Sequence, residues 1–232
     1  GCRVAAIREL FEEAGVLLAY RKDGPVFRPV DEPEREKFSK YRKELNAGQI
    51  NFHQFLTKEN LILALDSLYY YAHWITPEAR PIRFNTMFFV ALHPSGQDTS
   101  PDQEETTDGI WITPRLALRA NLTGDLPLSP PTLKTLEDVA CYDKLHPFLE
   151  SLRSAGKRIA VLPVVVKNNG EDVLIFPWDP DYEEYKKSSL QQSFPDFSDA
   201  RPSGPTDNST RLICRQGLWL PFVKDPTTPK QI

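Results

Sequence analysis

Soft metal ligands and thiols are scarce in this chain of 232 residues: three cysteines, four histidines and one methionine. Cys2, Cys141 and Cys214 are far apart and form no C-x-x-C pair, which excludes a disulfide framework and a zinc ribbon. They are expected to be reduced, structural thiols in a cytoplasmic setting. His53, His73, His93 and His146 offer no metal-ligand pair at helical spacing. Long apolar runs are also missing. The longest, Ile159 to Val166, is far short of the roughly 20 residues of a spanning helix and reads as a buried strand, so no membrane partner is expected. No secretory leader pattern is visible, and Pro229-Lys230-Gln231-Ile232 is not a peroxisomal tripeptide. Basic charge is not in excess: the formal net charge is −4, with no footprint for nucleic acid. Neither G-x-S-x-G nor a phosphate-cradling glycine loop occurs, and no internal repeat is apparent.

What the chain does have is charge concentrated on one short helix. Gly1 to Val16 reads as amphipathic, with Ala6, Ile7, Leu10 and Ala14 recurring at three- and four-residue steps. Gly15 sits where a left-handed C-terminal residue is wanted. At 3.6 residues per turn, Glu9, Glu12 and Glu13 share one face. Glu9 and Glu13 repel each other, and all three carboxylates lie toward the negative end of the helix dipole. A hard divalent cation would reverse both penalties, because Mg²⁺ takes oxygen ligands and bridges carboxylates to substrate phosphates. Arg8 can pair with Glu12 one turn on. The alternative is a solvated acidic face with an incidental arginine.

Arg8-Glu9-Leu10-Phe11-Glu12-Glu13-Ala14-Gly15-Val16 resembles the second half of the Nudix box, G-x5-E-x7-R-E-U-x-E-E-x-G-U with U aliphatic. The resemblance extends to Trp74-Ile75-Thr76-Pro77 and Arg83-Phe84-Asn85-Thr86-Met87-Phe88-Phe89. These are similar to the W-x-T-P and R-F-D-T-x-F-F blocks of a branch that includes the peroxisomal coenzyme A diphosphatase of animals. Asn85 replaces the usual aspartate. Trp111-Ile112-Thr113-Pro114, continuing to Ala117, resembles a further W-x-x-P-x-x-A segment. The first half of the box would fall before Gly1, so the expectation is a domain truncated at its N-terminus.

The resemblance implies an α/β Nudix fold, a mixed sheet sandwiched between helices, over residues 1–182. A helical insertion is expected at about 33–68, after the box helix, and a Pro/Ser-rich link and C-terminal segment over 183–232. Along the chain, Glu34 to Ala47 looks helical. Asn51 and Gln54 suit a capping box, and Leu61, Leu65 and Leu68 repeat at helical spacing. The basic face of Arg35, Lys37, Lys40, Arg42 and Lys43 reads either as solvated or as a contact for an anion. Tyr69 to Ile75, Arg83 to Leu92 and Gly109 to Ile112 are expected strands, and Pro94 to Asp108 an acidic loop. Helices are expected at Pro114 to Ala120, Pro130 to Ala140 and His146 to Arg153. Ile159 to Lys167 and Asp172 to Phe176 flank a hairpin turn, Asn168-Asn169-Gly170. Ser193 to Thr210 reads as a flexible link or loop and Leu212 to Val223 as a returning strand.

The function implied by the resemblance is hydrolysis of a diphosphate bond in a nucleoside diphosphate linked to another group, with coenzyme A or acyl-coenzyme A as the branch's substrate. Mg²⁺ or Mn²⁺ would be held by Glu9, Glu12 and Glu13. Glu9, Glu12, Glu105 and Arg8 form the expected catalytic set. One carboxylate, or Glu105 of the acidic loop, would take the proton of the attacking water. Arg8 would orient carboxylates, and Arg83 and Phe84 would contact phosphate and base. The expected partner is a small-molecule nucleoside diphosphate derivative, and a homodimer is compatible with this reading. A catalytically inactive Nudix-like binding or remnant protein is the alternative.

Overall fold

A computed structural model describes residues 1–22, 24–102, 109–156, 158–188, 200–203 and 207–224. The chain divides into two compact units. The first comprises Gly1–Tyr71 and Phe89–Trp111, the second Ala72–Phe88 and Ile112–Ile232.

The first unit starts with helix α1 (Cys2–Ala14), strand β1 (Ala19–Arg21), and helices α2 (Glu32–Asn46) and α3 (Phe52–Lys58). Local chemistry marks the helix ends. Asp31 caps α2 by accepting from the Glu34 N–H, with a proline in the first turn. Asn51 and Gln54 form the expected capping box on α3. The core is aromatic: Phe11 stacks on Phe55 at 5.3 Å and Phe27 on Phe38 at 4.3 Å. Ile7, Leu17, Leu18 and Ala64 complete it.

After α3 the chain departs from the expected helix. Asn60 turns left-handed at φ 51°, and Leu61–Leu63 becomes strand β2, antiparallel to β1 with Ala19 opposite Leu63. A 3₁₀ turn follows at Leu65–Ser67. The leucine spacing fits a helix as well as it fits this arrangement. The competing demand is β1, whose backbone groups need a paired edge.

Strands β3 (Tyr69–Ile75) and β4 (Asn85–Val90) pair with each other, as expected. Gly109 to Ile112 is not a strand. None of its residues is in a strand, and Trp111 is 76% exposed.

The second unit adds helices α4 (Pro114–Thr123), α5 (Pro130–Ala140) and α6 (Leu145–Ser154), strands β5 (Val164–Asn168) and β6 (Glu171–Ile175), helix α7 (Tyr182–Ser188), and strands β7 (Ala200–Pro202), β8 (Arg211–Arg215) and β9 (Leu218–Lys224). The five strands form one sheet in the order β5-β6-β8-β9-β7. Its ladders are antiparallel, and outside it an isolated parallel bridge joins Trp74 and Val161. The β5–β6 hairpin turns at Asn169 and Gly170, with φ of 50° and 84°. The single strand expected over Leu212 to Val223 is instead the β8–β9 hairpin, turning at Gln216 and Gly217 with φ of 50° and 82°. Of the expected flexible link or loop, residues 193–199 and 204–206 lie outside the described residues; Ala200–Pro202 is a strand, and Ser209 and Thr210 are buried.

Two buried polar clusters brace this unit. Arg211, fully buried, binds Asp179 at 2.7 and 3.0 Å and Asp181 at 3.0 Å. Lys134 binds Glu137 at 2.6 Å, and the same carboxylate accepts from the Ser209 hydroxyl at 2.7 Å. Each buried charge thus has a partner, as its desolvation requires.

Candidate functional site

Helix α1 owes its orientation to its buried side. Ile7 and Phe11 are almost completely buried, and the Phe11 ring is pinned against Phe55. The opposite side carries Arg8, Glu9, Glu12 and Glu13 at partly exposed positions. Arg8 does more than the sequence indicates. One guanidinium nitrogen donates to a Glu12 carboxylate oxygen and the other to a carboxylate oxygen of Glu9. Glu9 is about half exposed at 47%, whereas Glu12, at 16%, is sheltered.

The C-terminal end of α1 solves the dipole problem posed by three carboxylates. Arg42, on α2, donates from Nε to the Glu12 carbonyl at 2.8 Å and from Nη2 to the Glu13 carbonyl at 2.6 Å. Asn46, one turn further along α2, approaches the Glu12 carbonyl at 3.4 Å. The Ser100 N–H donates to the Ala14 carbonyl at 3.0 Å, and its hydroxyl accepts from Arg42 Nη1 at 2.9 Å. A cation therefore meets carbonyls that the helix leaves without intrahelical donors. Burial lowers the Arg42 pKa, and Asp102 opposes that shift. Gly15 turns the chain away at φ 74°, and a Cβ there would stand 3.2 Å from Arg42 Nη1.

The run after the helix is anchored by one buried amide. Gln97 accepts from the Leu17 N–H at 2.8 Å and donates to the carbonyls of Leu17 and Phe27 at 2.9 and 2.7 Å.

The donor set on α1 is all carboxylate oxygen, which fits a hard divalent cation in kind. Among the described residues, however, no group of three or more His, Cys, Asp or Glu is placed to hold a metal ion. The carboxylates of Glu9 and Glu12 are gathered by Arg8. Glu105 lies outside the described residues.

Arg83 and Phe84 belong to the second unit. The Arg83 guanidinium is drawn back to the turn, donating from Nε to the Thr76 carbonyl at 3.1 Å. Phe84 is pinned by its backbone: its N–H donates to the Thr76 hydroxyl at 2.9 Å and its carbonyl accepts from the Thr76 N–H at 2.9 Å. Its ring is left 66% exposed and lines a cavity of about 700 Å³ with Trp74, Thr86, Phe88, Leu174 and Trp219. The cavity thus draws much of its wall from the Trp74 to Phe89 block, and Arg83 is not part of that wall. Across the two strands, His73 Nε2 donates to Asn85 Oδ1, which gives the replaced aspartate position a partner.

Arg42, Ser100 and Gln97 were not foreseen as parts of this arrangement. Arg42 stood out in the sequence only as one member of a basic face. The rest of that face is largely paired at home: Arg35 with Asp98 at 2.8 Å, Lys37 with Glu59 at 2.5 Å, and Lys40 with Glu44 at 3.8 Å.

The NUDT19 Nudix domain family matches residues 1–139. An acyl-coenzyme A diphosphatase NUDT19 of Xenopus laevis is 28% identical over 205 residues, covering 80% of this chain and 53% of that protein. The human protein of the same name is 26% identical over 192 residues, covering 78% of this chain and 51% of its own length. A putative nudix hydrolase 7 of Caenorhabditis elegans is 26% identical over 215 residues, covering 90% and 68%. The chain thus spans about half the length of the two NUDT19 relatives. A crystal structure of a NUDIX hydrolase from Alicyclobacillus acidocaldarius superposes with a TM-score of 0.52 at 23% identity, covering 64% of each chain. The fold is the expected α/β Nudix fold.

Proposed function

This chain belongs to the NUDT19 Nudix domain family, and we propose that it hydrolyses the diphosphate bond of coenzyme A or an acyl-coenzyme A. The observation that carries this reading is the grip of Arg8 on Glu9 and Glu12 along one face of α1, inside the matched region. The names of the Xenopus and human relatives support the choice of substrate.

In this reading Glu9, Glu12 and Glu13 hold Mg²⁺ or Mn²⁺. The cation, when bound, supplies charge neutralisation at the diphosphate oxygens and an activated water. The protein's own part is positional. Arg8 fixes the rotamers of two carboxylates, and Arg42 fixes the last turn that carries Glu12 and Glu13. A carboxylate of this set, or Glu105, takes the proton from the attacking water. Phe84 and Arg83 remain the proposed substrate contacts. Residues 1–182 are taken as the hydrolase domain, with α2 and α3 in the inserted stretch of about 33–68. The free thiols of Cys2, Cys141 and Cys214 support a reducing, cytoplasmic setting.

The test is direct. Purified protein incubated with coenzyme A and Mg²⁺ or Mn²⁺ is expected to release adenosine 3′,5′-bisphosphate, and a chelator to stop the release. No turnover of coenzyme A, acyl-coenzyme A, ADP-sugars, NADH or dinucleotide polyphosphates would refute the enzyme reading.

A further inference from the structure

We propose that Ser100 is a phosphorylation site and that Arg35 and Arg42, on α2, receive the phosphate. The proposal is independent of the hydrolase reading. Five Ser or Thr hydroxyls directly precede a proline, the feature that proline-directed kinases read: Thr76, Ser100, Thr113, Ser129 and Thr228. Thr228 lies outside the described residues. Thr76 accepts from the Phe84 N–H, Thr113 caps α4, and Ser129 is bonded to Thr132 at the start of α5. Ser100 differs from them. It stands exposed in the loop after β4, and its hydroxyl accepts from Arg42 Nη1 at 2.9 Å.

The space beside Ser100 suits a phosphoryl group. Arg35, Ser39 and Arg42 follow one another at steps of four and three residues, so they share one face of α2. With Ser100 they line a cavity of about 190 Å³. That is below the roughly 300–1,000 Å³ of sites for whole ligands and well above the space of one water. The bonds of Arg42 to the Glu12 and Glu13 carbonyls and to Ser100 commit three of its five N–H donors. Burial depresses the Arg42 pKa, opposed by Asp102. Its charge is thus short of solvent, and a nearby dianion favours the charged form.

The carboxylates around the cavity are weak competitors. Asp98 meets Arg35 at 2.8 Å with its side chain 88% exposed, and Glu32, 77% exposed, is 3.8 Å from the same guanidinium. Exposed pairs of this kind contribute little. A phosphoserine brings about −1.5 to −2 charge and three acceptor oxygens, which suit the guanidinium fork. Its backbone is already placed, because the Ser100 N–H donates to the Ala14 carbonyl at 3.0 Å. In the kinase, Ser100 Oγ attacks the γ-phosphorus of ATP and the bond to the β,γ-bridging oxygen breaks. ADP leaves, and the hydroxyl proton passes to the kinase's base. The product latches the loop to α2 beside the last turn of α1.

Two measurements test this. The full chain is incubated with ATP and a proline-directed serine/threonine kinase, and the phosphate is located by peptide mass spectrometry. Ser100 is expected to be modified, and Ser100→Ala to lose that phosphopeptide. A folded protein whose Ser100 stays unmodified overturns the site. Phosphoserine is then placed at position 100 of the full chain by genetic encoding, and its phosphorus NMR shift is followed against pH. An exposed phosphoserine has a second pKa of about 6. Two guanidiniums favour the dianion, so the value is expected at least about half a unit lower. Arg35→Gln, outside the proposed metal site, is expected to return it toward that of the exposed group, with circular dichroism checking the fold. An unshifted titration overturns the arginine pocket, and so does a lowered value that survives Arg35→Gln in folded protein. No turnover enters either measurement, so the hydrolase reading stands or falls separately.

Discussion

Arg42 donates from Nε to the main-chain oxygen of Glu12, 2.8 Å away, so a residue of α2 holds the backbone of the acidic turn of α1. Together with its bond to Glu13, the planar guanidinium spans two successive carbonyls. An ammonium group cannot reproduce that fork. Arg42→Ala is expected to destabilise the protein by about 1–3 kcal/mol. Arg42→Lys should recover less than half of the loss in urea denaturation. A lysine variant as stable as wild type would show that the fork is dispensable.

Gly15 is constrained twice, by its positive φ and by the nearness of Arg42. Gly15→Ala should cost about 1–2 kcal/mol, the penalty of a Cβ in a left-handed conformation. The loss should shrink in an Arg42→Ala background, where part of the crowding is gone. Thermal unfolding of the two single variants and the double variant measures this coupling; strictly additive losses would assign the whole cost to the backbone.

Much of the local structure was legible in the sequence because its causes are local. The Asn51 and Gln54 capping box is an interaction three residues long, and both of its hydrogen bonds form, at 2.9 and 3.0 Å. The Asn169–Gly170 turn and the proline starts of α4 and α5 are of the same kind. The Arg8–Glu12 pair follows from helical spacing alone. The contact of Arg42 with Glu12 does not, because it joins positions 30 apart, and nothing about an arginine on a basic face names the carbonyl it will reach. The same holds for Gln97, 80 residues from Leu17. Strand β2 is not legible in the sequence, because Leu61, Leu65 and Leu68 satisfy a helical period as well. Only the partner strand and the left-handed Asn60 separate the two outcomes. The second hairpin was signalled by Gln216-Gly217, a weaker turn pair than Asn-Gly.

Gln97 makes its three hydrogen bonds at a site only 7% exposed. Gln97→Leu keeps the bulk but leaves one N–H and two carbonyls without their partner. It is expected to cost about 2–4 kcal/mol by the penalty for unmet buried groups. Hydrogen exchange should quicken most at Leu17, whose amide loses its acceptor. Unchanged protection there would show that another acceptor takes its place.

Asp172 carries a pH signature. The Lys167 hydrogen bond lowers its pKa, burial opposes this, and Arg80 lowers it further. A carboxylate with a depressed folded-state pKa contributes stability above its unfolded value, near 3.9. That contribution is lost as pH falls through the folded value. Lys167→Met should therefore destabilise by up to about 1 kcal/mol at pH 7. The difference from wild type should fade as the pH falls through the depressed folded-state value. Denaturation midpoints across this range test it; a gap that persists at low pH would point to packing by the lysine stem instead.

The central claim is that α1 carries the metal-binding carboxylates of a diphosphatase. Glu12→Gln keeps size and hydrogen-bonding reach while removing the charge. The decisive measurement is the Mg²⁺-dependent kcat/KM of this variant on coenzyme A beside wild type, with Mn²⁺ affinity measured by calorimetry on the same preparations. The account predicts a fall of at least about a hundredfold in kcat/KM and weakened Mn²⁺ binding, with the unfolding midpoint nearly unchanged. Full activity and undiminished Mn²⁺ affinity in Glu12→Gln would contradict it.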